Sequence, residues 1–382
     1  MLLKNTVLHS IKIKGEFMKN KRLPSEKYFG DLEKVFEFYG AMPTGVTVSE
    51  DGRIFVNFPK WGDDVKFTVA EIVKDKLVPY PNLKINQVDH DNLDKCFISV
   101  QSVVADGQGI LWVLDTAAPN FSEPIIGGAK LVSIDLDTNE VKRVYTFSDD
   151  VVLPTTYLND VRVDYRVGTE GYAYITDSSS NGPGGIIVVD LESGKAFRRL
   201  SGDKSTYYDP KFIPKVEGEV LLNRNEDGST SKFLLSSDGI AISPDGEVLY
   251  YCALSSRDLY SIETDLLRDI DITELQLSYC VKYLGEKGAS DGLITDSKGS
   301  IYVSDYENNS IREILPDGTM KSICHDPRIL WPDTLSIGPD KYLYFTANQL
   351  HRQARFHYGK DLREKPYVLF KIKINELPAP TK

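Results

Sequence analysis

The sequence predicts an all-β protein, a six-bladed β-propeller with four-stranded blades around a central channel. Three observations support this fold: a strand–turn–strand unit recurs six times, tight turns join its two strands, and further strand pairs lie between the copies. One such unit cannot bury its apolar face alone, whereas radial repetition covers both faces of every sheet.

The repeating unit starts with a small or acidic residue and continues as an alternating strand, a turn, and a second strand rich in Tyr, Trp and Val. Its six copies start at Thr44, Ser102, Asp160, Asp238, Asp291 and Asp333. These starts lie 42 to 78 residues apart, which is too irregular for a solenoid and suits blades with loops of different length. Six copies therefore predict six blades.

Turn chemistry and the segments between the copies complete each blade. Asp-Gly at 51–52 and 245–246 and Lys-Gly at 298–299 are hairpin signals. Between copies, AKLVSIDLDTNEVKRVYTF and GGIIVVDLESGKAFRRL each read as two strands around a turn, so that two and two strands make one blade. The run PYVLFKIKIN is expected to complete a blade and close the ring against a strand near KVFEFYG. One short helix is predicted over 263–269.

The same reading predicts the domain organisation and the environment of the chain. Residues 1–25 fit no blade and are interpreted as an N-terminal extension, while residues 26–382 form a single propeller domain. No uninterrupted apolar run is long enough to cross a membrane, and the N-terminal residues lack a secretory signal. We therefore expect a cytoplasmic protein, or a secreted or periplasmic one if a leader has been removed.

Charge and cysteine content exclude several classes of partner and cofactor. With 45 basic and 56 acidic residues the net charge is −11, and no basic block suggests nucleic acid or an anionic membrane. We expect a monomer that binds a small molecule and no organic cofactor. Four scattered cysteines without a C-x-x-C motif favour buried thiols over a zinc site, with disulfides left open.

The aligned starts of the repeats carry the sharpest chemical signal. Because the first strand of each blade lines the channel, four aspartates are expected to converge at one mouth: Asp160, Asp238, Asp291 and Asp333. Like charges in a confined site need raised pKa values, a cation or hydrogen-bond donors. No Arg or Lys stands at the aligned positions. Calcium with oxygen ligands, or an organic amine, would resolve the repulsion.

Several segments resemble the yellow / major royal jelly protein family over roughly residues 40 to 375. They are PTGVTVSEDGRIFVNFPKW (43–61), YLNDVRVD (157–164), SDGIAISPDGEVLYYCALSSRDLYSI (237–262), SDGLITDSKGSIYVSDYENNSI (290–311) and LWPDTLSIGPDKYLYFTANQLH (330–351). More distantly, the pattern is similar to the gluconolactonase, regucalcin and strictosidine synthase superfamily. Both resemblances imply the propeller fold. A shared fold does not establish a shared function, which depends on the residues of the site.

The lactonase resemblance implies calcium or another divalent cation held by Asn159, Asp238 and Asp291, with Asp160 and Asp238 in acid–base roles. Thr44 stands where those relatives carry a glutamate, which removes one charge from the metal site. A metal-assisted lactonase-like hydrolase or a dopachrome-type tautomerase is the first hypothesis.

The second hypothesis is a non-catalytic protein that binds amines or aromatic small molecules. The amine-binding relatives use a Thr and an Asn of the last blade, which correspond to Thr334 and Asn348 here, with Gln349 beside them. Gln101 and Asp333 are further predicted ligand-binding residues. A third hypothesis is a protein-interaction propeller with an apolar rim patch.

A purely structural role stays open for the aspartates, since Asp before Gly is a common turn pair. Three further aspartates that end second strands, Asp115, Asp177 and Asp305, are predicted to be structural.

Overall fold

The computed structural model describes residues 27–382 as a propeller of six antiparallel four-stranded sheets. The fold predicted from the repeat is confirmed. The predicted N-terminal extension, residues 1–25, lies outside the described residues. None of the helices in the described part of the chain is long and apolar enough to cross a membrane.

Each blade runs from a channel-lining strand outward. Blade 1 comprises Val46–Val48, Ile54–Asn57, Val69–Val73 and Lys76–Pro79; blade 2 comprises Val100–Ala105, Ile110–Asp115, Lys130–Asp135 and Glu140–Thr146. Blade 3 comprises Leu158–Asp164, Tyr172–Asp177, Gly185–Asp190 and Ala196–Arg199; blade 4 comprises Ser237–Ile242, Val248–Ala253, Asp258–Glu263 and Lys282–Glu286. Blade 5 comprises Ser290–Thr295, Ile301–Asp305, Ser310–Ile314 and Met320–His325. Blade 6 comprises Pro332–Ile337, Tyr342–Ala347, Tyr367–Lys373 and Glu33–Phe38.

Blade 6 closes the ring in the predicted way. Glu33–Phe38, which precedes blade 1 in the chain, pairs antiparallel with Tyr367–Lys373. Phe38 lies opposite Tyr367 in this register, and both side chains are buried. Joining the two ends of the ring in one sheet removes the open edges that a linear array would expose.

A β-bulge disrupts the first strand of blades 2 to 6 at the same point. The register with the second strand shifts between Val100/Ser102, Leu158/Val161, Ser237/Ile240, Ser290/Leu293 and Pro332/Leu335. In blades 3 to 6 these shifts span the aligned aspartates. A bulge changes the direction in which the side chains of the bulged strand point. The aspartates therefore do not follow the regular alternation of side chains between the two faces of the sheet.

The aspartates that end second strands brace neighbouring segments of the same blade. Asp115 accepts hydrogen bonds from the backbone N–H groups of Ile98 (2.7 Å) and Ser99 (2.9 Å), and Lys130 Nζ lies 2.8 Å from it. Asp177 is paired with Arg198 in the equivalent place. These buried carboxylates hold a loop and a strand together, as the sequence predicts for them.

Among residues 27–382, α-helices occur in one connection of blade 4 alone, and the other helical turns are short 3₁₀ segments. Helix α1 (Thr264–Arg268) lies within the predicted 263–269 segment, whereas helix α2 (Glu274–Cys280) was not predicted. A capping box between Thr273 and Gln276 starts α2. The four cysteines are free; three are buried as expected, while Cys280 is exposed at the end of α2.

The longest spacing in the repeat, between blades 3 and 4, contains two small hairpins. They pair Lys215–Val216 with Glu219–Val220 and Leu222–Arg224 with Thr230–Lys232. We call residues 201–236 the lid insert. The apolar side chains of the lid insert pack in one core cluster with loops that lie next to the starts of the first strands. The members of this cluster include Phe212, Val216, Leu221, Phe233, Leu235, Leu254, Tyr306, Trp331, Leu350 and Phe356. The lid insert therefore packs over the mouth of the channel at which the first strands start.

Candidate functional site

The aspartates that start blades 3 to 6 form one electrostatically connected group, which we call the acidic cluster. Asp160, Asp238, Asp291 and Asp333 are 8 %, 5 %, 9 % and 4 % exposed. The side chain of Asp238 is hydrogen-bonded to that of Asp291, and the charges of Asp160 and Asp333 act on the same neighbours. The four buried carboxyls thus influence one another through their charges, while Asp160 and Asp333 are each hydrogen-bonded to other side chains.

Burial dominates the protonation of this cluster. It raises the pKa of Asp238 well above its usual value, and the nearby charge of Asp291 adds to the effect. It raises the pKa of Asp333 well above its usual value in the same manner. The pKa of Asp291 rises only to about 6, because hydrogen bonds from Trp331 and Asp238 oppose the desolvation. Asp238 therefore keeps its proton to a higher pH than Asp291 does.

Neighbouring side chains fix the position of each carboxyl. Trp331 Nε1 donates a 2.8 Å hydrogen bond to Asp291 Oδ2, and Ser178 Oγ donates one of 3.0 Å to Asp238 Oδ2. Sequence reasoning missed both donors, since neither occupies an aligned position. Trp331 itself is buried, with a positive φ of 57° and its ring stacked 4.1 Å from that of Tyr306.

A cation lies beside the carboxylates, although it does not stand at an aligned position of the repeat. Arg162, two residues after Asp160 on the same strand, places Nη1 3.1 Å from Asp160 Oδ1. Ser102 Oγ (2.7 Å) and the backbone N–H of Val161 (2.9 Å) donate to the same oxygen. Asp160 is therefore neutralised by the protein itself. A signal was available, because Asp160 and Arg162 alternate with the core residues Val161 and Val163.

The residues predicted to bind a ligand fall into two groups. Asn348 Nδ2 donates a 2.7 Å hydrogen bond to Asp333 Oδ2, and Thr334 Oγ1 donates one of 3.2 Å to Asp333 Oδ1. Both therefore belong to the acidic cluster. Gln101 lies further round the mouth, where its Oε1 accepts a 3.0 Å hydrogen bond from the hydroxyl of Tyr157.

An aromatic stack lies beside Gln101, and we call it the aromatic roof (Trp61, Phe121 and Tyr157). The ring of Phe121 stacks 4.7 Å from Trp61 and 4.6 Å from Tyr157. Trp61 Nε1 donates a 2.8 Å hydrogen bond to the Tyr157 hydroxyl. The mouth therefore combines protonatable carboxyls with planar apolar surface.

The residues predicted to hold a divalent cation fit one poorly. Within residues 27–382 no three His, Cys, Asp or Glu side chains are arranged as a metal site. Asn159 makes no side-chain hydrogen bond in that part of the chain and is 7 % exposed, so its amide is available. Asp238 and Asp291, however, are hydrogen-bonded to each other, and Thr44 Oγ1 accepts a hydrogen bond from Asn57. The available ligands are the amide of Asn159 and two carboxyls that share a proton, whereas calcium prefers six to eight oxygen ligands.

Comparison with known proteins identifies the family. The family model of the major royal jelly protein matches residues 98–380. The chain belongs to the major royal jelly protein family. Major royal jelly protein 1 of Apis mellifera is 27% identical over 211 residues, which is 53% of this chain and 44% of that protein. Protein yellow of Drosophila melanogaster is 26% identical over 246 residues, 61% of this chain and 43% of the relative. The match thus spans less than half the length of these relatives.

Solved structures share the fold of this family member at low sequence identity. A luciferin-regenerating enzyme aligns with a TM-score of 0.55 and 13% identity, covering 93% of this chain and 100% of its own. A gluconolactonase of Xanthomonas campestris aligns with a TM-score of 0.52 and 12% identity, covering 91% and 89%. At these identities the likeness establishes the propeller architecture alone.

Proposed function

We propose that this family member binds a small organic molecule at the acidic cluster and transfers protons to and from it, as a tautomerase or a lactonase-like hydrolase does. The observation that carries the proposal is the hydrogen-bonded pair of Asp238 and Asp291, with unequal pKa values. Two carboxyls whose surroundings separate their pKa values supply an acid and a base at the same pH.

A keto–enol tautomerisation illustrates the proton balance. The Asp291 carboxylate takes a proton from the carbon next to a carbonyl group, while the Asp238 carboxyl gives its proton to the carbonyl oxygen. One C–H bond breaks and one O–H bond forms in the substrate. The proton then returns from Asp291 to Asp238 through the hydrogen bond that joins them, which restores both side chains. Asp160 keeps its pairing with Arg162 throughout and positions that side of the channel.

The surroundings of the pair favour a planar carbonyl compound as substrate. The aromatic roof offers stacking surface, and Gln101 and Asn159 offer amide groups near the carboxyls. An aromatic ring with an attached carbonyl group would use both.

Binding of an organic amine without catalysis is the second candidate. Its support is the cluster of Thr334, Asn348 and Asp333, in which two donors already converge on one carboxyl. An ammonium group could replace the proton on Asp333 and relieve its desolvation. Calcium at Asn159, Asp238 and Asp291 is a weaker alternative, because it must displace the proton that the pair shares.

Tautomerisation of phenylpyruvate, followed by its ultraviolet absorbance, tests the leading proposal. Asp238→Asn and Asp291→Asn should each lower kcat about a hundredfold or more, the usual contribution of a positioned acid or base. Asp317→Asn is the matched control, because Asp317 is a turn aspartate of blade 5 that bonds Thr319. Full activity in both cluster variants would refute the proton-transfer role.

Phenethylamine binding separates the two candidates. If the wild-type protein does not accelerate the tautomerisation, calorimetric titration with phenethylamine should show binding that Thr334→Val weakens. If neither reaction nor binding is detected, both candidate functions at the acidic cluster are wrong.

A further inference from the structure

The channel contains a second, chemically different compartment on the other side of Arg162. It is a cavity of about 330 Å³, which we call the apolar cavity. Its walls are aliphatic side chains of the first strands, with hydroxyls between them; the aliphatic members include Val46, Val48, Val104, Ile242, Ile294 and Ile337. An engineered cavity of about 150 Å³ holds benzene. The apolar cavity thus has room for a molecule of roughly twice that size.

A segment late in the chain covers this compartment. Residues 377–381, which we call the strap, line the cavity opposite the strands. Ala379 N–H donates a 3.1 Å hydrogen bond to the carbonyl of Thr295 on blade 5, and Tyr165 N–H donates one of 2.8 Å to the carbonyl of Thr381. Since Tyr165 follows the first strand of blade 3, the strap crosses from blade 5 to blade 3. It covers part of the cavity.

Arg162 is the one basic residue among the described residues that line the cavity, and its hydrogen-bond donors are only partly used. Nη1 donates to Asp160 Oδ1 (3.1 Å) and to the carbonyl of Val161 (2.6 Å), and Nη2 donates to the carbonyl of Leu293 (2.7 Å). A guanidinium has five N–H donors. Within residues 27–382, therefore, Nε–H and one N–H of Nη2 have no protein acceptor. These two nitrogens form the edge that binds a carboxylate in the bidentate mode.

We propose that the apolar cavity is a binding site for a small, mainly apolar molecule whose carboxylate or carbonyl oxygen accepts hydrogen bonds from Arg162. Aliphatic walls favour the apolar part through burial. The two remaining N–H groups of Arg162, whose side chain is 11% exposed, favour an acceptor because no protein atom among residues 27–382 accepts from them. The site adjoins the acidic cluster through Arg162 and Thr334, but it does not depend on the proposed proton transfer.

The lining of the cavity is not free of negative charge. Glu50 and Asp106 belong to it, whereas Arg162 supplies a cation that repels an ammonium group. The proposed ligand therefore places its carboxylate or carbonyl oxygen at Arg162 and its apolar part against the aliphatic walls.

Titration with octanoate and with octylamine, which share the same chain and differ in the head group, tests this inference. Octanoate should bind the wild-type protein, and Val104→Phe should weaken that binding at least about tenfold by filling the cavity. Val141→Phe is the matched control, because Val141 lies on the outer strand of the same blade and is 39% exposed. Octylamine, whose ammonium group cannot accept a hydrogen bond from Arg162, should bind more weakly than octanoate.

Two outcomes would overturn the inference. One is the absence of octanoate binding at low-millimolar concentration; the other is octanoate binding that both Val104→Phe and Ile294→Phe leave unchanged. Ile294 lies on the blade 5 wall of the cavity, so it reports on the site even if Val104→Phe does not fold. A failure here leaves the phenylpyruvate test at the acidic cluster unaffected.

Discussion

Arg162 on blade 3 and Leu293 on blade 5 are joined across the channel by a 2.7 Å hydrogen bond from the guanidinium Nη2 to the carbonyl oxygen. The same guanidinium pairs with Asp160. One side chain thus separates a cluster of protonatable carboxyls from an apolar cavity. The two halves of the channel are therefore suited to different ligands.

Removing this cation should destabilise the fold. Arg162→Leu leaves Asp160 buried without its counter-charge, and breaking a buried pair in this way costs about 3–5 kcal/mol. Denaturant unfolding measures the loss. The control is Arg328→Leu, whose partner is Asp326 and whose side chain is 60% exposed, so that it should cost less than about 1 kcal/mol. A similar small loss for both variants would contradict the role given to Arg162.

Stability should fall as the pH rises through the pKa of Asp291. Burial raises the pKa of this carboxyl from its usual value of 3.8 to about 6 in the folded state. Between these two pH values the folded state therefore binds more protons than the unfolded state. The resulting stabilisation is complete below about pH 4 and is lost above about pH 6. From pH 5 to pH 8 the free energy of unfolding of the wild type should fall by on the order of 1–3 kcal/mol more than that of Asp291→Asn. An equal pH dependence in the two proteins would argue against a raised pKa.

Closure of the ring through blade 6 should contribute strongly to stability. Phe38 is 1% exposed on the strand that closes the sheet, and replacing it with Ala should cost about 3–5 kcal/mol by loss of burial and cavity formation. Tyr39→Ala, at the adjacent position and 66% exposed, should have little effect on the unfolding midpoint. Comparable losses at the two positions would mean that closure is not what Phe38 supports.

Calcium should bind weakly and only as the pair loses its proton. Since burial raises the pKa of Asp238 well above its usual value, metal binding must compete with a proton on the pair, and calcium affinity should rise with pH. Calorimetric titration of chelator-treated protein at pH 6 and pH 8 checks this. Tight, pH-independent binding that Asp291→Asn abolishes would instead support the metal site predicted from the lactonase resemblance.

The repeat was sufficient to predict the six blades and the strand that closes them, because each blade repeats the same local pattern. Asp238 and Asp291 could likewise be placed side by side, since equivalent starts of neighbouring blades must meet at the channel. Their partners were harder to predict: Ser178 and Trp331 reach the carboxyls from connecting segments, whose paths the repeat does not determine.

The lid insert and the strap show why the rest of the site was out of reach. Spacing indicated an insertion between blades 3 and 4, yet only packing between residues as distant as Phe233 and Phe356 decides where it folds. The strap contains two prolines and no strand pattern, and its position depends on hydrogen bonds to Thr295 and Tyr165, far away in sequence.

The proton shared by Asp238 and Asp291 is open to direct measurement by carbon NMR of aspartate-labelled protein over a pH titration. We predict one carboxyl signal that titrates near pH 6 and is absent from Asp291→Asn, together with a second that stays protonated above it until Asp238 is replaced. If every aspartate carboxyl titrates below about pH 4.5, as in ordinary surface positions, the acid–base account of this channel is wrong.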